Sequence, residues 1–133
     1  MTIGLLIITH EAVGRALLIT ATKIIGVCPV ATELLSVPMD SDCEQVFEDA
    51  CEMIRKLDDG GGVIVLTDMF GGTPSNIANR LAEVFNVRVI SGVNLPMVVR
   101  ILNYANLDLD EVARKAQQGG REGIFICEGR GGC

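Results

Sequence analysis

The chain has 133 residues, of which 49% are hydrophobic and 21% charged, and its formal net charge is −6. The hydrophobic content excludes a disordered chain, and the acidic balance argues against nucleic acid, which is bound by clustered Lys and Arg. The apolar runs are too short for a membrane-spanning helix of about 20 residues, and no basic segment precedes the first run as it would in a secretory signal. We therefore expect one cytoplasmic domain over residues 1–133 that does not insert into a membrane, with a flexible Gly-rich tail at about 128–133.

The five cysteines and the single histidine limit redox and metal chemistry. The cysteine count is odd, no CxxC pair occurs, and one histidine contributes little to a metal site. Cys43 and Cys51 lie on one predicted helix, where about 12 Å separates them along the axis, which is too far for a disulfide. We expect buried free thiols, with Cys133 as the exposed exception, and neither a metal nor a cofactor.

Apolar runs of strand length alternate with stretches of helical period in the first half of the chain. Residues 3–8 are continuously apolar, as in a parallel strand that is covered on both faces. Residues 12–27 carry apolar side chains at spacings of three and four, which predicts an amphipathic helix. A strand at 32–37 follows, and after it a second helix that Asp40 or Ser41 caps.

The second half of the chain continues this alternation. Residues 63–66 form a third buried strand, and the helix that follows has Thr73 as its N-cap and Pro74 as its first residue. Gly119 and Gly120 end the last helix and form a hinge. The other predicted elements are a strand at 87–90, helices at 94–104 and 109–118, and a fifth strand at 123–127. This order predicts an α/β fold, doubly wound, with a mostly parallel five-stranded sheet and helices on both faces.

Two polar residues directly follow buried strands, at the edge of a parallel sheet where ligands and reactive groups gather. His10 follows the first strand and Asp68 the third, so their side chains can meet if these strands are neighbours. A carboxylate that bonds one ring nitrogen fixes the tautomer and leaves the other nitrogen free as a nucleophile. We interpret His10 and Asp68 as candidate catalytic residues, and the alternative is a solvated histidine without a functional partner.

The loop after Asp68 has the features of a phosphate-binding site. Gly71 and Gly72 let an anion approach the backbone closely, and the helix that follows presents unpaired N–H groups and the positive end of its dipole. The hydroxyl of Thr73 is a further donor. Neither a Lys-containing nucleotide loop nor GxGxxG is present, so a phosphoryl group on a nearby side chain fits better than a nucleotide. An ordinary turn is the alternative.

Three segments together carry a family resemblance: Thr9–His10, TDMFGGTPSN at 67–76, and SGVNLPM at 91–97. They resemble the EIIA component of the mannose-type phosphoenolpyruvate-dependent phosphotransferase system. The likeness extends over essentially the whole chain and includes GREGI at 120–124.

The resemblance implies a phosphocarrier enzyme. In the family a histidine at the end of strand one accepts a phosphoryl group from phospho-HPr and passes it to an EIIB protein, and His10 matches that position. Asp68 matches the residue that orients the histidine, while Gly72 and Thr73 match positions that line the phosphoryl pocket. The resemblance also implies a homodimer in which the C-terminal strand is antiparallel and is exchanged between the subunits. It further implies a separate EIIB acceptor, and contact with membrane EIIC and EIID only through EIIB. One departure is Glu11, where sugar-transporting members carry a small residue.

Two alternatives belong to other functional classes. One is a non-catalytic regulatory module that binds an anion or a partner protein in the same crevice. The other is the phosphoryl donor to dihydroxyacetone kinase, which lacks the GGTP element that this chain has after its aspartate. The sequence does not reveal a sugar, and it leaves transport and regulation open.

Overall fold

A computed structural model describes residues 1–129; residues 130–133, with most of the predicted tail and Cys133, lie outside the described part. The strands are β1 (Gly4–His10), β2 (Thr32–Val37), β3 (Val63–Thr67) and β4 (Val87–Ser91). The helices are α1 (Val13–Ile25), α2 (Cys43–Leu57), α3 (Thr73–Val84), α4 (Leu95–Asn103) and α5 (Leu109–Glu122). None of these helices is long and apolar enough to cross a membrane.

The four strands form one parallel sheet in the order β2-β1-β3-β4. β1 pairs with β2 on one side and with β3 on the other, and Ile8 lies opposite Thr67. A parallel strand with helices on both faces has no wet side, and β1 and β3 are buried along almost their whole length. The structure confirms the predicted α/β fold with a parallel sheet, and it makes β1 and β3 the neighbours that a contact between His10 and Asp68 requires.

Side chains that alternate along β1 enter two separate hydrophobic cores. Leu5 and Ile7 pack in the core formed with α1, α4 and α5, whereas Leu6 and Ile8 pack in the core formed with α2 and α3. A slip of β1 by one residue would exchange the two sets of side chains. The cores therefore fix the register of β1, and with it the position of His10 at the carboxyl edge of the sheet.

Two helix starts differ from the prediction. Asp42, rather than Asp40 or Ser41, caps α2, and its carboxylate accepts hydrogen bonds from two N–H groups of the first turn at 3.0 and 3.4 Å. Gly72 caps α3, so Thr73 is the first helical residue and not the cap. A cap must reach N–H groups two or three positions further on, and three neighbouring oxygen-bearing side chains cannot be ranked for that task from sequence.

Gly119 and Gly120 do not end α5, which continues to Glu122. Both glycines lie where α5 packs on α4. A Cβ at Gly119 would lie 2.8 Å from the Arg100 Cβ, and a Cβ at Gly120 would lie 2.8 Å from the Met97 Cε. The prediction of a helix end and hinge at these residues is wrong, because the glycines allow two helices to pack closely.

Residues 123–127 form no strand within the described chain, so the sheet of residues 1–129 has four strands and not the predicted five. A strand is stable only when a neighbour satisfies its N–H and C=O groups, and no strand of residues 1–129 does so here. Ile124, Phe125 and Ile126 are instead 75, 67 and 94% exposed. The antiparallel exchange of this segment between two subunits stays a prediction.

The described cysteines occupy different environments. Cys51 is a buried free thiol, and burial raises its pKa above the ordinary value. Cys28 and Cys43 are free but exposed, and Cys127 is disulfide-bonded. The expectation of free thiols is therefore right for Cys28, Cys43 and Cys51, whereas the expectation of burial is right only for Cys51. Both are wrong for Cys127. Within residues 1–129 no three His, Cys, Asp or Glu side chains could jointly hold a metal ion.

Candidate functional site

His10 and Asp68 meet at the carboxyl edge of the sheet. His10 is the last residue of β1, and Asp68 directly follows the neighbouring strand β3. The His10 Nδ1 lies 2.9 Å from the Asp68 Oδ2, and the His10 backbone N–H donates to the same oxygen at 3.0 Å. The pairing of β1 with β3 thus produces the contact that the sequence predicted.

The Asp68 carboxylate fixes the orientation of the imidazole. Its Oδ2 receives both contacts from His10, and its Oδ1 accepts a hydrogen bond from the Met69 N–H at 3.1 Å. A neutral ring held in this way carries its proton on Nδ1 and donates it to Asp68. Within residues 1–129 the Nε2 atom forms no hydrogen bond, so its electron pair is unshared. The side chains of His10 and Asp68 are 29% and 15% exposed, which leaves the ring accessible and shields the carboxylate.

Gly72 packs against the Nε2 side of the ring. A Cβ at Gly72 would lie 2.9 Å from the His10 Cε1 and 3.2 Å from Nε2, which leaves no room for a methyl group. Gly72 is also the N-cap of α3, which starts at the half-buried Thr73. The first N–H groups of a helix have no partners inside it and form an electropositive site. A helix start whose dipole favours negative charge therefore lies beside the Nε2 side of the imidazole.

A second helix start lies at the same edge of the sheet. α1 begins at Val13, and within residues 1–129 no side chain caps its start at Ala12. The hydroxyl of Thr9, which is buried at the end of β1, accepts a hydrogen bond from the Gly14 N–H at 2.8 Å and ties this helix to the strand. Both helix dipoles favour negative charge near His10. Sequence reasoning missed this role of Thr9, although a polar residue at the end of an apolar strand is a signal for it.

The segment after β4 holds the end of β3 in place. The Thr67 hydroxyl donates to the Ser91 Oγ at 2.9 Å, and the Thr67 carbonyl accepts from the N–H groups of Gly92 and Val93, both at 3.0 Å. Thr67 directly precedes Asp68, so these bonds restrain the backbone that carries the carboxylate. The first residues of the SGVNLPM segment therefore support the site from the neighbouring strand.

Exposed apolar side chains lie in the loops on the same edge of the sheet as His10. Met39 follows β2 and is 83% exposed, and Met69 and Phe70 follow β3 and are 57 and 79% exposed. Exposed apolar side chains that cluster on one face are typical of surfaces that bind another molecule.

Comparison with known proteins assigns this geometry to a family. The family profile described as EIIA-man, PTS system fructose IIA component, matches residues 4–117. The chain belongs to this family of phosphotransferase-system EIIA components. It is 35% identical over 127 residues to the mannose-specific EIIAB component of Escherichia coli strain K12. The aligned region covers 93% of this chain and 39% of that protein. The chain therefore spans about two fifths of the length of this curated relative.

Two further comparisons extend this result. The chain is 28% identical over 116 residues to the transcriptional regulatory protein LevR of Bacillus subtilis strain 168. The aligned region covers 83% of this chain and 12% of LevR. The mannose/sorbose-specific IIA subunit of the phosphotransferase system from Enterococcus faecalis superposes with a TM-score of 0.86 at 22% identity, covering 96% of both chains. The structural match confirms the α/β fold.

Proposed function

We propose that the chain is a phosphocarrier of the phosphotransferase system in which the His10 Nε2 accepts a phosphoryl group from phospho-HPr. One observation carries the proposal: Asp68 holds the His10 Nδ1 at 2.9 Å while Nε2 lies beside Gly72, at the start of α3. Membership of an EIIA family supports it. Since HPr is a cytoplasmic carrier, the proposal also assigns the chain to the cytoplasm.

The transfer step exchanges one phosphorus–nitrogen bond for another. The electron pair of the His10 Nε2 attacks the phosphorus of phospho-HPr, the bond from phosphorus to the HPr histidine breaks, and that ring keeps the electron pair. The proton on the His10 Nδ1 stays in the hydrogen bond to Asp68, whose charge stabilises the ring as it becomes positive. Gly71, Gly72 and Thr73 bind the phosphoryl oxygens through backbone N–H groups and the threonine hydroxyl. Delivery to EIIB repeats the step with His10 as the leaving group.

The exposed apolar residues suit a donor that is itself a protein. A donor histidine can approach the Nε2 of His10 only if its protein covers the surrounding loops, which carry Met39, Met69 and Phe70. Interfaces of this kind have apolar centres with polar rims. HPr and a separate EIIB protein use this surface in turn, and membrane EIIC and EIID are reached only through EIIB.

Incubation with phosphoenolpyruvate, enzyme I and HPr tests the proposal. The wild-type chain should gain one phosphoryl group that is lost in acid and retained in alkali, as expected for a phosphoramidate. A His10→Ala variant should gain none, and because His10 lies at the sheet edge rather than in a core, its thermal unfolding should stay close to wild type. If the wild type stays unphosphorylated while a known mannose-type EIIA is phosphorylated in the same mixture, the proposal fails. A non-catalytic anion-binding module is then the better explanation.

Regulation is a second candidate use of the same phosphohistidine. It is favoured by the similarity to LevR, a protein described as a transcriptional regulator. The phosphorylated chain is therefore mixed with EIIB proteins of the mannose type and, separately, with dihydroxyacetone kinase. Transfer to EIIB supports a transport role, and transfer to the kinase supports that alternative. Retention of the group, together with binding of another protein that depends on it, supports regulation.

We also propose a homodimer in which residues 123–127 of each subunit pair with β4 of the other as an antiparallel strand. β4 is an edge strand with open N–H and C=O groups. A groove of about 590 Å³ lies between β4 and α5, and Val89 and Ile90 of β4 contribute to its lining. An open strand edge and an exposed apolar segment are the two components of strand addition.

The charges of the groove also fit this segment. Arg114 and Arg121 line it and form no ion pair within residues 1–129. Glu128 directly follows the segment and is exposed. An exchanged strand would bring this carboxylate toward a basic groove and remove three apolar side chains from water.

Sedimentation of two truncated chains tests the exchange. Because α5 extends to Glu122, a chain of residues 1–123 loses the exchanged segment and keeps every helix, whereas a chain of residues 1–128 keeps the segment and serves as the control. At micromolar concentration the full chain and the control should sediment as dimers, and the shorter chain should be monomeric or insoluble. A full chain that sediments as a single species near 14 kDa would exclude the dimer, and a stable dimer of residues 1–123 would exclude the exchange.

A further inference from the structure

Glu11 holds an unusual backbone conformation directly after His10. Its φ is 44°, the one positive φ of a non-glycine residue within residues 1–129. This conformation turns the chain from β1 toward α1, and the Glu11 N–H donates to the Val37 carbonyl at 3.3 Å. Glycine adopts the left-handed region without a steric penalty. The turn itself therefore needs no side chain, and what glutamate adds at this position is a carboxylate.

Among residues 1–129 the Glu11 carboxylate has no cation of its own. Glu11 is exposed, and its side chain forms neither an ion pair nor a hydrogen bond within the part of the chain that the structure describes. The nearest basic residue in the sequence, Arg15, lies in the first turn of α1 and does not pair with it. Asp68, by contrast, is hydrogen-bonded to the His10 ring. An unpaired negative charge next to His10 acts directly on any charge that the histidine acquires.

We propose that Glu11 raises the phosphoryl-transfer potential of phosphorylated His10, an inference that rests on the proposed phosphocarrier function. When phosphorus moves from the HPr nitrogen to the His10 Nε2, the site gains the negative charge of the phosphoryl group, and Glu11 repels it. The repulsion ends when the bond from Nε2 to phosphorus breaks and the group passes to the next nucleophile. Glu11 therefore makes the phosphorylated state less stable and favours its onward delivery. It tunes the energy of the site and does not take part in bond formation.

Coulomb's law gives the size of this effect. Consecutive Cα atoms lie about 3.8 Å apart, so the Glu11 carboxylate can come within about 8 Å of a phosphoryl group on His10. At this distance, repulsion between the carboxylate and the phosphoryl group in a water-like medium shifts the transfer equilibrium about fourfold at very low salt. Screening at physiological ionic strength reduces the shift to about twofold. A structural role of Glu11, such as support of the α1 N-terminus, would not follow this dependence on salt.

The test measures the equilibrium constant for phosphoryl transfer from phospho-HPr at about 10 mM and about 0.15 M salt. Glu11→Gln removes the charge and keeps the non-glycine backbone, whereas Glu11→Gly removes both the charge and the conformational penalty. Glu83→Gln is the matched control, since Glu83 is exposed at the far end of α3 and forms no ion pair within the described residues. Both Glu11 variants should favour phosphorylated His10 about fourfold at low salt and about twofold at high salt, and the control should match wild type.

Three results would overturn the inference. They are a Glu11→Gln variant that equals wild type at both salt concentrations, a shift confined to Glu11→Gly, and a shift of the same size at both concentrations. The first removes the charge effect, and the other two assign the effect to the backbone or to local structure. A wild-type chain that takes up no phosphoryl group overturns the proposed function as well, whereas normal uptake without an effect of Glu11→Gln overturns only the role of Glu11.

Discussion

Replacement of Gly72 by alanine tests the site at its tightest contact. The new methyl carbon would lie 2.9 Å from the His10 Cε1, whereas nine in ten Cβ contacts in proteins are longer than 3.4 Å. The ring must therefore move away by about 0.5 Å, which is the difference between these two distances. The backbone does not resist this change, since the φ of −92° and ψ of 178° at Gly72 are open to alanine. The strain therefore falls on the imidazole and not on the loop.

The displaced ring should transfer a phosphoryl group more slowly. Misplacement of a reacting group by about 1 Å costs about 10²-fold in rate, so a shift of half that size should slow transfer about tenfold. The loss of a glycine cap should cost no more than about 1 kcal/mol of unfolding free energy. Rapid-quench measurement of transfer from phospho-HPr gives the rate, and urea unfolding gives the stability.

Gly71→Ala is the matched control in the same loop. Gly71 has a φ of 95°, and a Cβ there would meet nothing within 4 Å, so alanine strains the backbone by about 1–2 kcal/mol without touching His10. We expect Gly71→Ala to lower stability more than Gly72→Ala does and to slow transfer less. Wild-type transfer by Gly72→Ala would show that the methyl group does not displace the ring. Rates in the two variants that follow their stabilities would show that slower transfer reflects loss of fold and not the position of His10.

Two other substitutions probe the site and the helix packing. Asp68→Asn removes the carboxylate charge beside the His10 ring, which under the proposed function stabilises the transition state. We expect transfer from phospho-HPr to slow about 10²-fold with little change in urea unfolding. Unchanged kinetics would show that the contact has no catalytic role. Gly119→Ala places a Cβ 2.8 Å from the Arg100 Cβ, and this overpacking should cost about 1–3 kcal/mol of unfolding free energy. A Gly119→Ala variant as stable as wild type would show that α5 can move away from α4 without penalty.

The sheet and the contact at its edge were predictable because they follow from local patterns. Residues 3–8 and 63–66 are continuous apolar runs, and such runs identify strands that are covered on both faces. His10 and Asp68 lie at the carboxyl ends of these two strands. Their side chains share one edge of the sheet because the strands are neighbours. For Gly72 the sequence predicted only that an anion can approach the backbone, and its close packing against the His10 ring came from the structure.

The features that sequence did not reveal depend on contacts between distant segments. A Gly-Gly pair usually ends a helix, and only the position of Arg100 on α4 explains why Gly119 lies inside α5. Residues 123–127 have the composition of a strand, but composition does not say whether a partner lies in the same chain. The left-handed φ of Glu11 is likewise set by the connection from β1 to α1 and by its bond to Val37.

The contact between His10 and Asp68 spans 58 positions, and β1 lies between β2 and β3 in the sheet. Non-local parallel pairing forms slowly, because each crossover must close a long loop before its contacts repay the lost entropy. The imidazole is therefore aligned only after β3 has docked on β1. During synthesis His10 leaves the ribosome 58 positions before Asp68, so the ring has no Asp68 carboxylate to orient it until β3 has docked. Under the proposed function, acceptance of a phosphoryl group therefore requires that β1 and β3 have already paired.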